Sequence, residues 1–165
     1  MSWADLEIGA PDLAEAGLRL INREEIGQGL LVTIRGSAAP RIHPVYVAVR
    51  EGRLLTFADG AKRSDLEQDG RFALHTHLDP SAPSEFSVRG HARLIDGDLR
   101  DQIAAGWYFD PGTTYRLFEL EVESALHGDR PDADAWPPVY SSWKSGTEEA
   151  PRVTVSGRGW PTPEP

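Results

Sequence analysis

Apolar residues along this chain fall into short blocks separated by Gly, Pro and polar turns. From Pro11, the stretch PDLAEAGLRLINRE sets Leu13, Ala16, Leu20 and Ile21 close to helical spacing behind an acidic first turn. It predicts one amphipathic helix over 11–24. Leu30-Leu31-Val32-Thr33-Ile34 reads as a buried-type strand, turning at Gly36-Ser37-Ala38. Arg41 to Val49 is a second strand, interrupted by Pro44. Proline has no N–H for a ladder, so the strand is an edge, is bulged, or faces a ligand there. Glu51-Gly52 marks a hairpin into a third strand, Arg53 to Ala58. Residues 60–69 lose all alternation and read as a short helix packed by Leu66, with Gly70 just after it. Phe72 to Leu78 and Phe86 to Ile95 are strands joined by the loop 79–83. Asp98 to Trp107 is a helix that ends near Asp110-Pro111-Gly112. Tyr115 to Val122 alternates as a strand, and Val139 to Trp143 marks a further one. Beyond Gly146 the Pro-rich, acidic composition reads as a mobile end.

Six or more strands, with one helix after the third and another after the fifth, predict a mainly β (α+β) chain. The architecture is a small barrel of six to eight antiparallel strands with short flanking helices. One domain, 1–146, is followed by a flexible tail, 147–165. At 165 residues and 18.1 kDa the chain can bury one core without disulfides. Seventeen basic against 26 acidic side chains give a net charge of -9, which argues against duplex nucleic acid and anionic membrane surfaces as partners. The absence of cysteine excludes disulfides, thiolate metal sites, iron–sulfur clusters and cysteine nucleophiles. With no secretory signal and no run of about 20 apolar residues, the expected location is cytoplasmic. No G-x-S-x-G, Walker A or H-E-x-x-H motif occurs. His75 and His77 flank Thr76 on one strand face, but a third ligand is not evident, so no metal site is expected.

The order of motifs resembles the flavin-binding split barrel of the pyridoxamine 5'-phosphate oxidase family. Pro40-Arg41-Ile42-His43-Pro44-Val45 is similar to its P-R-x-x-P-V strand. Gly60-Ala61-Lys62-Arg63-Ser64-Asp65-Leu66 is similar to the S-x-K-x-x-N-L helix. Phe86-Ser87-Val88-Arg89-Gly90-His91-Ala92 resembles V-x-V-x-G-x-A, Leu117-Phe118-Glu119-Leu120 the closing strand, and Trp143-Lys144-Ser145-Gly146 the terminal W-x-P-G. The match spans about four-fifths of the chain.

The resemblance implies a flavin mononucleotide (FMN) site. Its phosphate would lie at the start of helix 60–69, against Lys62 and Arg63, with Arg41 on the neighbouring strand. Free N–H groups and the positive dipole end suit an anion there, and two cations in a helix's first turn make sense beside one. Lys62 and Arg63 also read as solvated surface charges. For the isoalloxazine the resemblance implies His43, Pro44 and Val45, then Thr56 and Phe57. Glu85 stands where the family carries a glutamine that hydrogen-bonds the flavin. The cofactor would lie at a homodimer interface, with Trp143 and the strand 86–92 reaching the partner's flavin. Gly60-Ala61 replaces the usual serine, Asp65 a common asparagine, and the family's Arg/His substrate signature near the C-terminus is missing. The expectation is a flavin-dependent oxidoreductase acting on a small molecule. Use of a deazaflavin, or a non-catalytic barrel that holds flavin or haem, stands as the alternative.

Overall fold

Both faces of the strand Leu54-Leu55-Thr56-Phe57-Ala58 are buried, and this continuous run organises the molecule. The computed structural model describes residues 1–23, 26–37, 39–146 and 152–155. Its strands are β1 (Gln28–Arg35), β2 (Ala39–Arg50), β3 (Arg53–Ala58), β4 (Arg71–His75), β5 (Glu85–Ile95), β6 (Arg116–Asp129), β7 (Val139–Lys144) and β8 (Arg152–Val155). The helices are α1 (Trp3–Gly9), α2 (Pro11–Ile21), α3 (Gly60–Gln68) and α4 (Asp98–Ala105). All strand pairs are antiparallel, in the order β3-β2-β1-β4-β5-β6-β7-β8. β6 also pairs with β3, Leu55–Ala58 against Arg116–Glu119, so six strands close into a barrel and β7 and β8 extend it. The mainly β barrel expected from the sequence is the fold observed.

Two apolar layers hold it. Leu31, Val47, Leu54, Phe72, Phe86, Phe118 and Val122 fill the inner core, together with Trp3 and Leu6 of α1 and Leu13 and Leu20 of α2. Outside β3, the residues Leu55, Phe57 and Leu117 pack with Ile103 of α4 and with Trp107.

Several boundaries differ from expectation. α2 stops at Ile21 rather than residue 24, with the Asn22 N–H donating to Leu18 O. α1 was not foreseen, although Asp5 accepts from the Ser2 N–H at 2.6 Å as a helix-starting acid does. β4 ends at His75, because the chain leaves the ladder toward Asp79; His75 and His77 therefore do not share a strand face. β6 runs on to Asp129 because β7 replaces β3 along its second half. Within the segment expected to be a flexible tail, Arg152–Val155 pair with β7 as β8, in keeping with the β-branched run Val153-Thr154-Val155. The rest of 147–165 lies outside the described residues.

Candidate functional site

β2 and β3 pair only over Val47–Arg50 and Arg53–Thr56, so the Ala39–Tyr46 half of β2 stands away from the β3 ladder. This opening splits the barrel wall. Backbone groups of successive strand residues point to alternate edges. Val47 N–H donates to Gly27 O on the β1 side, whereas Tyr46 O accepts from Thr56 Oγ1 at 2.9 Å on the β3 side. Pro44, two residues before Tyr46, therefore turns its missing donor toward the opening. The proline sits where no ladder partner is needed.

A cleft of about 390 Å3 occupies the opening. β2 lines it with Pro44, Val45 and Tyr46, β3 with Phe57, and α3 with Lys62. Phe109 and Tyr115, from the segment after α4, complete an aromatic wall, and Gln28 and His77 face it. Tyr46 and Phe109 are 6.0 Å apart between ring centroids, and Phe109 and Tyr115 are 5.1 Å apart. Behind them Phe57 is braced edge-on by Trp107 at 5.0 Å. The result is an aromatic-walled slot with Lys62 among its lining.

The cation lies at the start of α3. Asp59 occupies the N-cap position, yet its side chain makes no capping bond and instead accepts from Lys62 Nζ at 2.6 Å. That bond, helped by the Tyr115 hydroxyl, holds the Asp59 carboxyl below its usual range against the opposing effect of burial. The first-turn N–H groups of α3 are thus uncapped by any side chain, and the turn holds no acid. One turn further on, buried Asp65 accepts from Thr33 Oγ1 at 2.8 Å, with Arg41 Nη1 3.6 Å from the same carboxylate. His43 Nε2 is 3.1 Å from Thr33 Oγ1. Burial lowers the His43 pKa, reinforced by Lys62 and Arg41 and opposed by Asp65.

Of the ten residues singled out from the sequence, Pro44, Val45, Phe57 and Lys62 line the cleft, and Arg41 and His43 stand beside it around Asp65. Thr56 is fully buried, with its hydroxyl committed to Tyr46 O. Arg63 turns to Glu67 at 2.9 Å and to the Thr114 carbonyl. Glu85 lies outside the cleft of its own chain, within 3.2 Å of His75 and 3.1 Å of Tyr140. Trp143 packs against Gly9 and the inner core. Tyr46, Phe109 and Tyr115 were not anticipated, although an aromatic at an outward strand position and two around the Asp110-Pro111-Gly112 turn are visible in the sequence. Among the described residues no group of three metal-ligating side chains occurs, and no helix is long and apolar enough to cross a membrane.

No family model matches the chain, and no curated protein matches its sequence. Solved structures match its shape. A pyridoxamine 5'-phosphate oxidase-related, FMN-binding protein from Nostoc punctiforme superimposes with a TM-score of 0.61, at 14% identity, over 88% of this chain and 94% of its own. This chain has the split-barrel fold of that group. PhzG from Burkholderia lata, solved with tetrahydrophenazine-1-carboxylic acid, gives 0.63 at 9% identity, covering 92% and 89% of the two chains. A haem-binding protein from Mycobacterium smegmatis gives 0.57 at 17% identity over 78% of this chain, which spans 57% of that protein's length. At these identities the split barrel is what is shared. The same barrel is found in proteins described as binding FMN and in proteins described as binding haem.

Proposed function

We propose that this split barrel binds FMN as a homodimer and acts as a flavin-dependent oxidoreductase on a small molecule. The observation that carries the reading is the cleft itself, which joins an aromatic slot to Lys62 at an uncapped helix start. The residues present suit the cofactor. Lys62 and the first-turn N–H groups of α3, with Arg41 close by, would hold the phosphate. Tyr46, Phe57, Phe109 and Tyr115 would flank the ring system, and the open β2 edge at Pro44 and Val45 would lie along it. The cleft volume falls in the range of small-molecule sites, roughly 300–1,000 Å3. A bound flavin supplies electron transfer; this chain, without thiols, supplies binding, orientation and shielding from water.

A second copy is supported by the outer face of β1 and β2. Leu30, Val32 and Ile34 point outward beside Pro44, Ile42 and Pro40, and Tyr46 continues the stripe. Ile42 is 67% exposed and Tyr46 45%. An antiparallel sheet facing water alternates with polar residues, so an apolar outer face calls for a cover. Glu85 and Trp143, outside their own cleft, would then serve the partner's cofactor.

Haem is a second reading, favoured by His77. This exposed imidazole lines the cleft and has no hydrogen-bond partner among the described residues, so it would be available to ligate a haem iron. The absorption spectrum and ligand mass of the purified protein separate the two. Flavin bands with the mass of FMN are expected, and a Soret band transfers the assignment to haem. Colourless protein that ignores both added compounds overturns both. Oxidation of NADH or NADPH by the FMN-loaded protein tests the oxidoreductase step.

A further inference from the structure

A chain of hydrogen bonds beside the cleft ties α3 to β1 and β2. Asp65 is 4% exposed, Thr33 is fully buried, and the Thr33 hydroxyl donates to Asp65 Oδ2 at 2.8 Å. A hydroxyl has one hydrogen, and here Asp65 takes it. The 3.1 Å contact between Thr33 Oγ1 and His43 Nε2 therefore needs its hydrogen on the imidazole. His43 is held as the Nε2–H tautomer, with a lone pair on Nδ1 that has no hydrogen-bond partner among the described residues.

The charged groups acting on His43 are Arg41 on its own strand and Lys62 and Asp65 on α3, while β1 contributes the neutral Thr33. Asp59 in turn answers Lys62 at 2.6 Å, so two cations balance two carboxylates while His43 is neutral. A dianion entering this balanced cluster brings uncompensated charge into a partly buried site, where it is costly. The imidazole that Arg41, Lys62 and Asp65 all act on is His43, and its Nδ1 is the nitrogen left without a hydrogen.

We propose that Asp65, acting through Thr33, is the positioning residue of a proton-coupled anion site, in which a dianion bound between Arg41 and Lys62 draws a proton from the buffer onto His43 Nδ1. This rests on the reading that the start of α3 receives a phosphate, and it adds how the neighbouring imidazole responds. Asp65 and Thr33 fix one ring nitrogen as a donor, so the other takes up the proton. Burial and the two neighbouring cations disfavour the charged imidazole, and an arriving anion acts in the opposite direction. By linkage, protonation then tightens anion binding by the same factor that binding favours protonation.

Sulfate is the probe, because it stays a dianion between pH 5 and 8 and leaves only the protein to titrate. Calorimetric titration of the full chain is expected to show sulfate binding several-fold, up to about tenfold, tighter at pH 5.5 than at pH 8. His43→Gln should flatten that dependence. Nitrogen-15 spectra of the histidine rings should show the Nε2–H form for His43 in the wild type and a mixture of tautomers in Thr33→Val. Equal sulfate affinity at the two pH values, no sulfate binding, or full pH dependence in His43→Gln overturns the proposal. Sulfate behaving as expected while FMN fails to bind removes the flavin reading and leaves the anion site standing. FMN binding with no pH effect on sulfate does the reverse.

Discussion

Lys62 sits in the first turn of a helix, against the positive end of the dipole, where a cation costs a few tenths of a kcal/mol or more. The structure gives it Asp59 as counter-ion, so the proposed phosphate would compete for a bond that already exists. Lys62→Ala removes one charge-assisted contact. It should weaken FMN binding roughly ten- to a hundredfold, followed by quenching of flavin fluorescence. Unchanged affinity would contradict the phosphate assignment. The oddity of a cation at that position is visible in the sequence, which is why Lys62 could be singled out. Asp65 was not legible in the same way. Its partner Thr33 is 32 residues away, and only the seating of α3 on β1 brings them together. Glu85 had a comparable fate: its neighbours His75 and Tyr140 come from two other strands, a pairing set by sheet order.

At the scale of elements, β2 carries the design of the cleft. Its proline was readable as a break in the ladder, and the structure shows the break to be the side on which β3 departs. α2 was readable because Leu13, Leu20 and Ile21 keep helical spacing. The seven residues of α1 are too few to display a period, and the polar stretch Glu123-Ser124 hides the continuation of β6. α2 also holds a position that propensity alone misjudges. Gly17 lies over the ring of Phe86, and a β-carbon there would overlap it. Gly→Ala in a helix interior normally gains up to about 1 kcal/mol. Phe86 is almost wholly buried and has little room to yield, and overpacking of this kind costs about 1–3 kcal/mol. Gly17→Ala should therefore lower the urea midpoint; a raised midpoint would show that the helix can lift off β5 freely.

Across the whole molecule, barrel closure follows from strand order, which local patterns do not encode. β6 serves β3 with its first half, which closes the barrel, and β7 with its second. The apolar stripe on β1 and β2 belongs to the same scale. If the proposed dimer forms through this stripe, Ile42→Asp should yield a monomer in light scattering with the circular dichroism spectrum unchanged; a persistent dimer would place the interface elsewhere. The central claim is that the split receives an aromatic ring system whose phosphate is held at the start of α3. Parallel titrations of the ligand-free protein with FMN and with riboflavin, which differ only in the phosphate, test it most directly. FMN should bind roughly a hundredfold more tightly than riboflavin, the worth of two or more charge-assisted hydrogen bonds. Equal affinities, or binding of neither, would contradict it.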